Sequence, residues 1–142
     1  MKANFPAYSE VRSQLCRHRA KRYLDVPDPL CIPDPLRVTL RAREAADDSP
    51  HKTEQFLLYS GQGGKLQIFC APTELAAIHQ TEYLGANGTF EKAPDSAYQV
   101  YTMHGYVRGE GMSLLWALLP NKTTATYVEP VFILGIPPQK KK

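Results

Sequence analysis

Apolar and polar residues change rhythm several times along this chain, and each change marks an expected element. Tyr8, Val11 and Leu15 form a thin stripe at helical spacing, surrounded by Arg12, Arg17, Arg19, Lys21 and Arg22, which predicts a short basic helix from Tyr8 to about Tyr23. Gln55–Ser60 and Lys65–Cys70 are strand-like runs flanking Gly61-Gln-Gly-Gly64, a pattern that predicts a β-hairpin. The same loop lacks the Lys-Ser/Thr ending and the following helix that a phosphate cradle needs. Pro72 suits the first turn of a helix ending near Gln80, with Leu75 and Ile78 on one face. Three more strands, Tyr83–Phe90, Tyr98–Gly105 and Met112–Leu119, are separated by polar segments containing Pro94 or Gly109 and read as an antiparallel meander. The third is apolar on both faces (Met112, Leu114, Leu115, Trp116, Leu118) and is expected to be covered on both sides. Asn121 is placed to cap a final helix through Thr126 and Tyr127, which Pro130 should kink or stop. The fold class expected is α+β.

Between the first helix and the hairpin the rhythm is lost. Val26-Pro-Asp-Pro-Leu30 and Ile32-Pro-Asp-Pro-Leu36 form a local duplication whose prolines fix φ, so the stretch reads as an extended connector laid along a surface. Interleaved aspartates disfavour the other reading, a ligand for an SH3 or WW domain. Residues 41–54 are polar and read as mobile. The resulting division is a basic segment 1–24, a Pro-rich and polar linker 25–54, a domain 55–132 and a basic tail 133–142.

Composition and charge refine this division. With 142 residues, 43% hydrophobic and 22% charged, the chain suits one globular domain, while twelve prolines point to irregular segments. Residues 1–24 carry six Lys/Arg against one acid, residues 25–139 eight against thirteen, and Lys140, Lys141 and Lys142 close the chain. Basic ends on an acidic body can track phosphate, although a solvated helix face and tail give the same pattern. Cys16, Cys31 and Cys70 are odd in number with no CxxC spacing, which suggests neither a disulfide framework nor a zinc site. The start lacks an apolar signal region, and the longest apolar run, Leu114–Leu119, is six residues. The expectation is an intracellular protein, nuclear or cytoplasmic, with no membrane partner, in which the acceptor patterns Asn87-Gly-Thr and Asn121-Lys-Thr never meet the glycosylation machinery.

Few constellations carry chemistry. Cys70, His79 and His104 match no zinc-ligand spacing and lack a clear fourth ligand. No nucleophile elbow is present for Ser/His/Asp catalysis. Asn87-Gly88 is on its own a strong turn dipeptide.

Residues 87–105, NGTFEKAPDSAYQVYTMHG, nevertheless resemble the "DGTF…aP…Q-l-Y-t-I-H" block of the Mutator-like element (MULE) transposase family. Arg12-Ser-Gln-Leu-Cys-Arg-His-Arg19 resembles the basic segment before that family's core. Gln55-Phe-Leu-Leu-Tyr59 and Leu66-Gln-Ile-Phe69 resemble its leading hairpin, and Ala117-Leu-Leu-Pro-Asn-Lys-Thr123 with Ala125-Thr-Tyr127 its "aLLPnKt-aTY" block. The resemblance spans roughly residues 12–132 and makes Asn87-Gly88 part of a strand. Beyond Phe132, ILGIPPQKKK departs from the family as an early stop or shifted frame would.

The resemblance implies a truncated ribonuclease H-like fold: a β-hairpin and short helix, then three antiparallel strands and a helix, where the complete sheet has the order 3-2-1-4-5. In intact relatives it implies DNA cleavage and joining by two Mg²⁺ or Mn²⁺ ions held between carboxylates. Asn87 stands where the family has its first catalytic Asp, and a neutral amide is a poor ligand for a hard cation. Only Glu129 is acidic after Glu110. The expectation is a protein with no enzymatic activity and no cofactor, with Asn87 a vestigial position and His104 a supporting residue of its strand. DNA is the expected partner of the basic residues. Another copy or a full-length relative is expected at a bare sheet edge.

Overall fold

The structure is a computed structural model that describes residues 8–22, 26 and 28–136, with the side chains of residues 8–10, 19, 20 and 22 outside that description. Three helices come first, α1 (Tyr8–Arg22), α2 (Asp34–Arg37) and α3 (Leu40–Glu44). The runs on either side of the glycine loop form β1 (Leu57–Gly61) and β2 (Leu66–Phe69), joined by a 3-10 turn over Gln62–Gly64. Pro72 opens α4 (Pro72–Gln80) at its first turn, where a missing N–H costs no helical hydrogen bond. The meander follows as β3 (Leu84–Thr89), β4 (Gln99–Val107) and β5 (Glu110–Leu119), and α5 (Thr124–Ile133) closes the fold. The strands make one antiparallel sheet in the order β1-β2-β5-β4-β3. The fold is thus α+β, as expected, and the leading hairpin extends the meander through β2 and β5.

Period-two alternation decides which face is buried. Tyr59, Ile68, Ala117, Tyr101 and Gly88 occupy one register row across all five strands. On this face Leu66, Ile68, Met103, Leu115, Ala117 and Leu119 form a core with Ile78 of α4 and with Leu134 beyond α5. The opposite face carries the row Leu57, Phe69, Trp116, Thr102 and Asn87. A bulge in β5 interrupts the alternation: Met103 faces Leu115 and His104 faces Ser113, so Leu114 is an extra residue. It turns into the core beside Leu115, and both are buried.

The expectation that β5 is covered on both faces holds only over part of its length. Met112, brought by the bulge to the helix-covered face opposite Gly105, is 46% exposed in a groove beside α4. Trp116 remains 37% exposed because cover on the second face comes only near β1 and β2. There Phe56 stacks against Phe69 and Trp116, with ring centroids 5.4 and 6.2 Å apart. Buried Gln67 donates from Nε2 to the carbonyl of Pro29 at 2.9 Å, so the proline-rich connector lies along this face.

The polar stretch after the connector is structured, contrary to the expectation of a mobile linker. It includes most of α3, whose Thr39 hydroxyl caps it by accepting from the Ala42 N–H, and the connector itself is not extended throughout, because the second Pro-Asp-Pro repeat turns into α2 with Pro33 at its N-cap. Val38 forms a bridge with Gln55, and the Phe56 N–H donates to the Arg37 carbonyl at 2.7 Å. Arg41 grips the Glu54 carboxylate through two nitrogens, and the Thr39 hydroxyl donates to the same carboxylate at 3.0 Å.

Two local expectations about α5 are corrected. Thr123, not Asn121, is the N-cap, while Asn121 stands two residues earlier and its Oδ1 accepts from the Thr123 N–H and from both the Thr123 and Thr126 hydroxyls. Pro130 does not stop the helix, which runs to Ile133 with the pyrrolidine ring fully buried. The end is set by Gly135 at φ +64°, whose N–H donates to Phe132 while the Ile136 N–H reaches back to Val131, a Schellman closure. Residues 133–136, read as part of a basic tail, thus finish the helix, and Leu134 seals the core.

Hydrogen bonds from Arg41 are the main reason the Glu54 carboxyl sits below its ordinary value; desolvation opposes them and the Thr39 hydroxyl adds to them. A lowered folded pKa contributes stability that is present above the unfolded value and is lost as pH falls through the lowered one. Thermal melts of wild type and Glu54→Gln are therefore expected to differ most near neutral pH and to converge as Glu54 protonates.

Candidate functional site

Asn87 lies in the middle of β3, opposite Thr102 of β4 and exposed on the partly uncovered face. The strand runs unbroken through Asn87-Gly88, so this dipeptide is not a turn here. Gly88 owes its identity to the other face. A Cβ there would sit 2.5 Å from the Oε1 of Gln99, whose buried carboxamide occupies that space and donates from Nε2 to the Tyr127 hydroxyl and the Asn121 carbonyl. The Asn-Gly pair is thus built for a close approach inside a sheet rather than for reversal of the chain.

Around Asn87 the side chains are small or neutral. Gly85 and Thr89 flank it on its own strand face, and Trp116 stands beyond Thr102. Further along, His104 Nδ1 lies 2.9 Å from the Ser113 hydroxyl, which ties the imidazole to the neighbouring strand. Glu129 is at the opposite margin of the sheet, where it accepts from the Tyr59 hydroxyl at 3.2 Å and Gln62 Nε2 at 3.0 Å. Burial and then that contact with Glu129 raise the Tyr59 pKa, which keeps the phenol a donor. The full width of the sheet therefore separates Glu129 from Asn87.

The alternative zinc set is also dispersed. Cys70 is buried, its thiol pushed up to about 12 by desolvation and then by Glu74, and it donates weakly to the Ala71 carbonyl. His104 is exposed on the other face, and His79 lies exposed on α4. Among the described residues no three His, Cys, Asp or Glu side chains converge on a possible metal position.

The basic candidates lie on α1, where Arg12, Arg17 and Lys21 are exposed and Arg17 Nε donates to the Ser13 carbonyl one turn back. Arg19 and Arg22 belong to the same helix, and Lys140, Lys141 and Lys142 lie outside the described residues. The expected apolar stripe is not buried, for Leu15 is 55% exposed.

An open groove of about 680 Å³ runs between α4 and the tip of the β4–β5 hairpin. Glu74, Gln80, Arg108 and Glu110 rim it over a floor that includes Met112 and Leu114, and none of the residues singled out in the sequence as chemical candidates lines it. No pattern in the sequence marks this groove, because it forms only when the hairpin tip passes the helix. No helix among the described residues is long and apolar enough to cross a membrane.

Comparison with models of known protein families, with curated proteins and with solved structures finds no match.

Gly88→Ala should destabilise the protein by about 1–3 kcal/mol, because the added methyl must displace the buried Gln99 carboxamide. A denaturant titration measures this, and Gly85→Ala, where a Cβ meets open space, serves as its control.

Proposed function

We propose that this chain is a catalytically inactive relative of the MULE transposases, a remnant of an enzyme of DNA transposition that carries the opening part of a ribonuclease H-like sheet. One observation carries the reading: Asn87 stands in the middle of a marginal strand, in a run β5-β4-β3 that has the order of that fold's first three strands, with a helix following β5. Asn87 brings no charge to a two-metal site, and Glu129 is engaged at the far edge. The purified chain with linear or nicked DNA and Mg²⁺ or Mn²⁺ is expected to give neither cleavage nor strand transfer. Asn87→Asp alone should not rescue chemistry, since one carboxylate cannot hold two metals. Cleavage by wild type that disappears in Asn87→Ala would refute the reading.

A second reading, nucleic-acid binding or interference with transposition, is favoured by the exposed Arg12, Arg17 and Lys21, which take no part in the ion pairs among the described residues. Binding should be independent of sequence and fall steeply with salt as phosphate contacts release counterions. Neutralising Arg12, Arg17, Arg19, Lys21 and Arg22 should flatten the plot of log affinity against log salt by about 0.9 for each duplex phosphate that the helix no longer neutralises. Unchanged affinity and slope would remove α1 from the interface.

A further inference from the structure

We propose that Asn87-Gly88 is a site of spontaneous covalent modification, at which the side-chain amide is lost to water whenever β3 opens. This goes beyond the transposase reading and rests on β3 alone, so neither depends on the other.

Asparagine is a chemically labile residue, and how labile depends on the residue that follows. The backbone nitrogen of Gly88 can attack Cγ of Asn87. A new N–Cγ bond closes a five-membered imide, the Cγ–Nδ2 bond breaks, and the departing nitrogen takes the proton of the Gly88 N–H to leave as ammonia. Water then opens the ring. Cleavage at Cγ restores the chain with an aspartyl side chain, whereas cleavage at the backbone carbonyl routes the chain through Cβ and Cγ as an isoaspartyl link. Glycine favours the attack because it has no Cβ to crowd the nitrogen.

Three observations place this chemistry at Asn87. Its carboxamide is exposed and makes no hydrogen bond among the described residues. A side chain on its successor would disturb the interior, since Gln99 fills the space where a Cβ at position 88 would lie. The core thus fixes the reactive pair. Finally, β3 is the strand poised to open, with a neighbour only in β4 among the described residues and four of its six residues exposed. Opening is required because extended backbone holds the Gly88 nitrogen away from Cγ, so the ladder with Thr102 and Tyr101 is what delays the reaction. Asn121 is the contrast: its Oδ1 is held by the Thr123 N–H and by two hydroxyls, and Lys122 follows it.

The two products act differently on the sheet. An aspartyl side chain adds a charge at an exposed position and leaves the backbone unchanged. An isoaspartyl link adds one carbon to the backbone, so that Gly88 and Thr89 lose register with Tyr101 and Val100 and Gly88 leaves the space beside Gln99. That branch releases the end of β3 and cannot be reversed by refolding.

The full chain, incubated at mildly alkaline pH and sampled by peptide mass spectrometry, should exchange NH2 for OH at Asn87 and not at Asn121, with aspartyl and isoaspartyl peptides resolved by chromatography. The same chain unfolded in guanidinium chloride should react at Asn87 about tenfold faster, because the ladder is gone. Gly85→Val, whose side chain enters open space and favours extended backbone, should slow the folded chain about fivefold and leave the unfolded rate unchanged. Thermal melts check that each protein is folded. Asn87 that stays intact in the folded chain long after the unfolded chain has reacted to completion overturns the proposal, and so does a folded chain that reacts as fast as the unfolded one or ignores Gly85→Val.

Discussion

Burial of one sheet face under two helices is the constraint from which the rest of this molecule follows. Leu66, Ile68, Met103, Leu115, Ala117 and Leu119 cannot leave water unless β2, β5 and β4 lie side by side and α4 and α5 close over them. Each of these residues fixes the parity of its strand, since slipping by one residue would turn the apolar set outward. Parity then places Asn87, Thr102 and Trp116 on the opposite face, whatever Asn87 once did or now does. The exposed row is a by-product of the buried one.

Much of this is legible in the chain because the signals are local. Alternation locates the three strands of the meander, glycine locates the hairpins, and Pro72 locates the start of α4. Other features depend on residues far apart in sequence. Residues 25–54 look like a linker because their own apolar content is low, and their order comes from Arg41 meeting Glu54 and from Gln67 reaching Pro29. The attachment of the leading hairpin to β5 likewise has no local mark. At α5 the difference is finer. Asn121 and Thr123 are both good caps, and only their mutual hydrogen bonds show that one caps the helix while the other braces the cap. Pro130 continues the helix because its ring is packed into the interior, a tertiary gain that local propensity does not contain.

The candidate site divides in the same way. Asn87 and the arginines of α1 can be named from the sequence, but their meaning depends on distance: Glu129 is occupied at the far margin, and Cys70, His79 and His104 are scattered over separate surfaces. Gly88 is the instructive residue. Its neighbour makes it look like a turn former, yet a buried glutamine from the next strand is what excludes a side chain there.

The extra residue in β5 has a different kind of consequence. Because Leu114 absorbs one position of the ladder, the hairpin has two registers, one from Gln99 to Met103 governed by the core and one from His104 to Val107 governed by the Arg108-Gly109 turn. The second half is held from the end of α4, where the Thr81 hydroxyl bonds both the N–H and the carbonyl of Tyr106. The bulge bends β5 and sharpens its twist, so Leu114 sets the direction in which the hairpin end leaves the packed sheet and hence the width of the groove it forms with α4.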